Sequence, residues 1–200
     1  MKKLFSVIIL LTASLANINH ALSISPDVFI QSTVNRASNL LSKDISKDDK
    51  MSQLKLIAKE TVDIRGIGFY SLGAARKGLN DYQKKTYSDL FEKYFLKSFA
   101  SRLAEYTNPE IEVKNKEVLS ENYTIVNSIL VSTAERPEVN INWRVYTKNP
   151  DSPLIRDLIL EGLSLARTQR EEFSSILSSN DGDINVLFKV LEDFSKKQNF

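Results

Sequence analysis

The chain has 200 residues, of which 42% are hydrophobic, with 27 basic and 25 acidic side chains. It has no cysteine and one histidine, His20, near the N-terminus, which excludes disulfides and thiol chemistry and leaves no basis for histidine triads or zinc sites. Carboxylate, lysine and tyrosine chemistry stays open.

The N-terminus has the pattern of a secretory signal peptide, predicted over residues 1–23. Lys2 and Lys3 precede an apolar run over residues 4–15. A run of about a dozen residues fits a signal peptide and is shorter than the roughly 20 needed to cross a bilayer. We therefore expect an exported protein with a single domain over residues 24–200.

Small residues allow cleavage of the signal peptide after Ala16 or after Ser23, so the exact site stays open. Removal of the two N-terminal lysines leaves 25 basic side chains against 25 acidic ones. Nucleic-acid binding needs a basic surface, so this near-neutral charge gives it no support.

The first part of the mature chain is predicted to be helical. Ser25 is a candidate N-cap, Pro26 and Asp27 suit the first turn, and apolar residues recur as far as Leu41. After a polar break, Asp48 and its neighbour open a second helix.

This second helix is predicted to continue through residues 62–73, which contain Gly66, Gly68 and Gly73. Glycines inside a helix indicate close backbone packing or a bend. A phosphate-binding loop is disfavoured, because no strand precedes the glycines and their spacing does not match G-x-G-x-x-G.

A long helix is predicted from residue 80 to a stop at Asn108 and Pro109. Aromatic and aliphatic residues recur along it every three or four positions: Tyr87, Leu90, Phe91, Tyr94, Phe95, Phe99, Leu103 and Tyr106. Periodicity alone does not distinguish a filled core from a lined cavity, so both readings stay open.

The hydrophobic period then changes to two, which is typical of strands. Four strands are predicted, at 111–119, 123–134, 139–146 and 156–161. Short connections imply an antiparallel sheet. Two closing helices are predicted, at 164–178 and 183–196, with Ser164 as an N-cap after Gly162. Helices, then strands, then helices indicate one α+β domain.

Asp157 and Glu161 project from one face of the fourth strand, and Leu158 and Leu160 from the other. Two carboxylates allow a hydrolase, but four residues along a strand separate their Cα atoms by about 13 Å, longer than the usual catalytic spacing. An ion pair between Asp157 and Arg144, or another basic side chain across the sheet, is the favoured alternative.

Residues 156–173, with Asp, Glu-Gly, Leu-Ser and a downstream Arg and Phe at set spacings, resemble the signature of the MlaC-type toluene-tolerance family. Three further segments are similar to the family in the same order: 70–73, 83–94 and 139–145. Two features depart from its pattern. Residues 152–156 lack the aromatic residues common before the strand aspartate, and glycines stand at positions 66 and 68.

The resemblance implies a periplasmic phospholipid-binding component of an ABC-type intermembrane lipid transport system. Such a protein shuttles phospholipid between an outer-membrane lipoprotein complex and an inner-membrane transporter, as a monomer without a cofactor or enzymatic activity. It also implies that the helices and a four-stranded antiparallel sheet surround an apolar cavity. The residues expected to hold the acyl chains are Phe69, Leu72, Phe91, Tyr94, Phe95, Ile129, Val131, Trp143, Val145, Leu158 and Leu160.

Two alternatives remain beside the lipid carrier. One is a small periplasmic α+β enzyme that uses Asp157 or Glu161 as acid or base. The other is a structural adaptor of the cell envelope with a fully packed interior. Arg167 and Arg170, on the helix after the turn, could lie near a phosphate headgroup or simply be solvated.

Overall fold

The computed structural model describes residues 23–197, so the predicted signal peptide lies almost entirely outside the described residues. The predicted α+β class is confirmed. In chain order the elements are α1 (Pro26–Leu41), α2 (Lys47–Thr61), α3 (Ile64–Ser71), a 3₁₀ helix (Ala75–Lys77), α4 (Asp81–Leu103), β1 (Ile111–Ser120), β2 (Tyr123–Leu130), β3 (Val139–Tyr146), β4 (Leu154–Leu160), β5 (Leu163–Ser164), α5 (Leu165–Ser178) and α6 (Ile184–Lys196).

Local capping explains where several helices begin. The Asn80 side chain accepts a hydrogen bond from the Gln83 N–H at 2.8 Å, and the Gln83 side chain accepts from the Asn80 N–H at 3.0 Å. This capping box satisfies two backbone donors at the start of α4. Ser164 caps α5 by accepting from the Arg167 N–H at 3.1 Å, as predicted.

The prediction of one continuous helix through residues 62–73 is wrong at Val62 and Asp63. Val62 has extended backbone angles and pairs in parallel with Ile155, and the Asp63 N–H donates to the Ile155 carbonyl at 2.9 Å. The Asp63 carboxylate then accepts from the Gly66 N–H at 2.8 Å and starts α3. A strand-like link therefore separates α2 from α3 and joins both to β4.

The strands form one antiparallel sheet in the order β1-β2-β3-β4-β5. The predicted four strands are present, and β5 is an additional two-residue strand. It forms because Glu161 and Gly162 both adopt positive φ, 47° and 83°, and turn the chain back along β4. A glycine tolerates this conformation without the Cβ strain of other residues.

The register places two sets of side chains on opposite faces of the sheet. Val126, Trp143 and Val145 lie on the face that we call the core face, and Val126 and Val145 are fully buried in the main hydrophobic core. Arg144 and Asp157 lie opposite each other on the other face. Leu158 and Leu160 share the core face, so the predicted alternation along β4 is confirmed.

Aromatic side chains of α4 fill the core between the helices. The rings of Tyr87 and Phe91 lie 5.7 Å apart, and Phe173 of α5 meets Phe91 edge-on at 6.2 Å. The Tyr87 hydroxyl donates to the Gly68 carbonyl at 2.8 Å, and burial raises the pKa of this tyrosine. A Cβ on Gly68 would lie 2.7 Å from the Phe91 ring, so Gly68 allows α3 and α4 to pack closely.

Candidate functional site

A cavity of about 640 Å³ lies between α3, the 3₁₀ helix, the β1–β2 hairpin and the sheet face that carries Arg144 and Asp157. Its volume lies within the range of small-molecule sites, roughly 300–1,000 Å³. Ile67 and Phe69 of α3 and Leu119 of the hairpin are apolar parts of the wall. Four of the nine other lining residues are charged, so the wall differs from the apolar cavity that the resemblance implies.

Asp157 is the one acidic residue of this wall, and it is 4% exposed. Its carboxylate accepts hydrogen bonds from the Ser164 hydroxyl at 2.6 Å and from the Ala166 N–H at 3.0 Å. Both contacts are at the N-terminus of α5, where a carboxylate satisfies free backbone donors and interacts favourably with the helix dipole. Asp157 therefore fixes α5 to β4.

The expected ion pair between Asp157 and Arg144 is not among the ion pairs of residues 23–197, although the register sets the two residues directly opposite. The physical reason is competition, because both Asp157 oxygens are already bound to the start of α5. Glu161 lies near the turn, as predicted, where its carboxylate accepts from the backbone and side-chain amides of Asn140. Both carboxylates of the hydrolase alternative are thus held by structural hydrogen bonds.

Arg156 occupies the cavity wall because of an irregularity in β4. The register between β3 and β4 shifts at this residue, and Arg156 and Asp157 both line the cavity. The Arg156 Nε lies 2.7 Å from the Asp63 carboxylate, its Nη1 donates to the Tyr123 hydroxyl at 2.6 Å, and its guanidinium lies 3.5 Å from the Tyr146 ring centroid. Burial acts to lower the pKa of Arg156, but its contacts with Tyr123 and Asp63 outweigh it and raise the pKa.

Arg144 and Arg76 complete the charged wall. The Arg144 Nε is buried and has no hydrogen-bond partner. Within residues 23–197 neither arginine makes an ion pair, and Arg76 extends from the exposed 3₁₀ helix. The cavity therefore holds two guanidinium groups without a carboxylate partner.

The predicted acyl-chain residues fall into four groups in the structure. Phe69 lines the cavity. Leu72, Phe91 and Val145 are buried in the core, and Tyr94, Phe95 and Trp143 pack against that core while partly exposed. Ile129, Val131, Leu158 and Leu160 are half-buried. Ile129 lies on the opposite face of the sheet from Trp143, so the structure does not bring the whole set together. Their role in binding stays a prediction.

Sequence reasoning did not assign the three arginines of the cavity wall to a site. The sequence predicts Arg144 only as an ion-pair partner of Asp157, and it indicates Arg167 and Arg170 as headgroup contacts. In the structure Arg170 lies over the Tyr70 ring at 5.3 Å, and Arg167 is exposed. The available signal was the position of Arg144, a permanently charged residue in a strand on the same face as Asp157.

Residues 23–197 contain no group of three histidine or acidic side chains that could hold a metal ion. They also contain no helix with the length and apolarity needed to cross a membrane.

Comparisons with known proteins place the chain in a family. A search of curated proteins finds no match. Among solved structures, a phospholipid-binding protein from Ralstonia solanacearum, determined in complex with a phospholipid, superposes with a TM-score of 0.72. The match covers 86% of this chain and 97% of that protein at 16% sequence identity, which shows a shared fold. The family described as MlaC protein matches residues 31–193. The chain therefore belongs to the MlaC family.

Proposed function

We propose that this protein is a periplasmic phospholipid carrier that holds lipid in the cavity between α3 and the sheet. The observation that carries the proposal is the cavity of about 640 Å³ with Ile67, Phe69 and Leu119 in its wall, in a chain of the MlaC family. Burial of hydrocarbon contributes about 0.8 kcal/mol per CH₂ and requires no catalytic group. The Ralstonia solanacearum protein with the same fold binds a phospholipid, which supports the same ligand class here.

We further propose, from family membership, that the lipid passes between an outer-membrane lipoprotein complex and an inner-membrane ABC transporter complex. Export by the signal peptide over residues 1–23 would bring the carrier domain, residues 24–200, to the periplasm. Binding and release complete this function, so no bond is made or broken. The two alternatives are less well supported, because Asp157 and Glu161 serve structural hydrogen bonds and the adaptor requires an interior without a cavity.

Native mass spectrometry of protein purified from a cell envelope tests the proposal. The expected result is a copurified phospholipid, and the delipidated protein should take lipid from vesicles. A ligand-free chain that also extracts no lipid from vesicles would contradict the carrier function.

Two neighbouring substitutions locate the site. Leu119 is 49% exposed on the cavity wall, so a bound lipid would cover the apolar surface that Leu119→Asp replaces with a charge. Lipid uptake should weaken by up to about tenfold, because full burial of a leucine contributes roughly 1.5–3 kcal/mol and about half of that remains to be gained. The matched control is Val118→Asp, since Val118 is 71% exposed on the same hairpin and is not part of this wall. Equal loss in both variants would place the lipid elsewhere.

A further inference from the structure

The buried Nε of Arg144 is a polar group without a partner. Buried side-chain donors are nearly always hydrogen-bonded, because an unpaired one has lost its water without compensation. A guanidinium cannot avoid this cost by losing its proton, because guanidinium groups stay protonated in proteins. The Arg144 Nε has no hydrogen-bond partner although the side chain borders a cavity large enough for a ligand.

The charges around the cavity are unbalanced. Its wall contains Arg76, Arg144 and Arg156 against one acid, Asp157. Arg156 is paired with Asp63 from outside the wall, and the Asp157 carboxylate is bound by neutral donors at the start of α5, so three guanidinium groups face two carboxylates. Arg76 and Arg144 therefore present positive charge to the cavity from two sides, the 3₁₀ helix and β3. Charges in such a partly enclosed site are poorly screened and attract an anion.

The chemistry of the wall narrows the class of anion. Guanidinium groups bind phosphate through paired N–H donors, and two of them can contact different oxygens of one phosphate. Phe69 and Leu119 border the same cavity, so the site also accepts hydrocarbon. A phosphate group attached to a lipid fits both the guanidinium groups and the apolar residues of the wall.

We propose that Arg144 and Arg76 form an anion site that binds a phosphate group inside the cavity. If the proposed carrier function holds, this is the headgroup phosphate of the lipid, and the site selects phosphate-bearing lipids over neutral lipids with the same chains. Arg156 is a positioning residue. Its ion pair with Asp63 and its bond to Tyr123 hold β4 and the hairpin side of the cavity in place.

The test compares two soluble short-chain lipids on the delipidated mature protein. Dioctanoyl phosphatidic acid carries the phosphate, and dioctanoylglycerol has the same chains without it. Binding is followed by calorimetry. The wild type should bind the phosphate-bearing lipid about tenfold more tightly, and Arg144→Gln should reduce this ratio to near one.

Three further variants test whether the effect of Arg144→Gln comes from loss of the anion site. Arg76→Gln, on the exposed 3₁₀ helix, should lower the ratio without endangering the fold, in case Arg144→Gln does not fold. Arg144→Lys keeps the charge and loses the paired donors, so an intermediate ratio is expected. Arg136→Gln is the matched control, because Arg136 also has a buried Nε without a partner but contacts Val131 and Tyr106 outside this wall. Its ratio should equal that of the wild type.

Inorganic phosphate distinguishes the source of the anion. Phosphate binding that depends on Arg144, without preference between the two lipids, would support the anion site and assign it to the free ion. Equal binding of both lipids in every variant, with no binding of inorganic phosphate, would overturn the anion site and leave the carrier function standing. Failure of the wild type to bind either lipid would overturn the carrier function, and failure with inorganic phosphate as well would overturn both.

Discussion

Gly68 shows how one missing side chain determines the distance between two helices. A Cβ at this position would lie 2.7 Å from the Phe91 ring, which is fully buried and cannot move away without displacing Tyr87 or Phe173. Glycine at position 68 therefore allows α3 and α4 to pack closely. It also leaves the Gly68 carbonyl accessible to the Tyr87 hydroxyl.

We predict that Gly68→Ala destabilises the protein by about 1–3 kcal/mol, because the added methyl group overpacks the core. Urea unfolding followed by circular dichroism measures the change. The control is Gly78→Ala, where the nearest atom to a new Cβ is 3.7 Å away. That variant should be unchanged or slightly more stable, because alanine reduces the freedom of the unfolded chain. Equal stability of the two variants would contradict the packing role of Gly68.

At the scale of elements, the link between α2 and α3 joins the helical part of the molecule to the sheet. Val62 pairs with Ile155, and Asp63 both caps α3 and pairs with Arg156. The carboxylate and guanidinium side chains are only 18% and 28% exposed, so this ion pair is shielded from solvent more than a surface pair. One acidic residue thus positions α3, β4 and an arginine of the cavity wall.

Asp63→Ala should cost about 2–3 kcal/mol, because it removes the cap and leaves Arg156 without its carboxylate. Asp63→Ser keeps a capping oxygen and removes only the ion pair, so its loss should be smaller. Ser46→Ala is the comparison, since Ser46 caps α2 through the Asp49 N–H at 3.1 Å at an exposed position. Thermal or urea unfolding should show about 1 kcal/mol for that cap alone. If Asp63→Ala lowers the free energy of unfolding no more than Ser46→Ala does, then the Asp63–Arg156 ion pair does not stabilise the link between α2 and α3.

Whole-molecule stability should respond to the ligand, because a lipid that binds only the folded chain favours folding. At a lipid concentration of 100 times Kd the gain is about 2.7 kcal/mol. For a domain of this size that corresponds to an increase in Tm of about 5–10 °C. Differential scanning calorimetry of lipid-loaded and delipidated protein measures it, with Leu119→Asp expected to show a smaller increase. An unchanged Tm at saturating lipid would contradict binding to the native state.

The features that sequence could predict are those with local causes. The helix starts at Asn80 and Ser164 follow from capping residues, and β3 follows from alternation over residues 139–146. The break at Val62 does not, because it depends on pairing with Ile155, far along the chain. β5 pairs with β4 across the two-residue turn at Glu161 and Gly162, but a strand of two residues is too short to show a hydrophobic period.

The candidate site also combines features that the sequence predicts with features that depend on tertiary contacts. Alternation fixes the faces of Arg144 and Asp157, but not which groups reach them. The Asp157 carboxylate is bound by Ser164 and Ala166 at the start of α5, and this choice of partner, which alternation does not predict, leaves Arg144 without its cross-strand carboxylate. The register shift at Arg156 likewise cannot be read from the pattern of β4. The sequence pattern therefore does not predict that these charged residues line a cavity.

The β1 edge of the sheet affects whether the protein self-associates at high concentration. Val62 and β5 cover parts of the β4 edge, whereas β1 has β2 as its only strand neighbour among the described residues. An uncovered strand edge is a template for pairing with another copy and for fibril growth. β1 carries Glu112, Lys114, Lys116 and Glu117, and its register shifts twice against β2. Charge and irregular register make this edge a poor template, so the protein can keep apolar surface for a ligand without inviting self-association through its sheet.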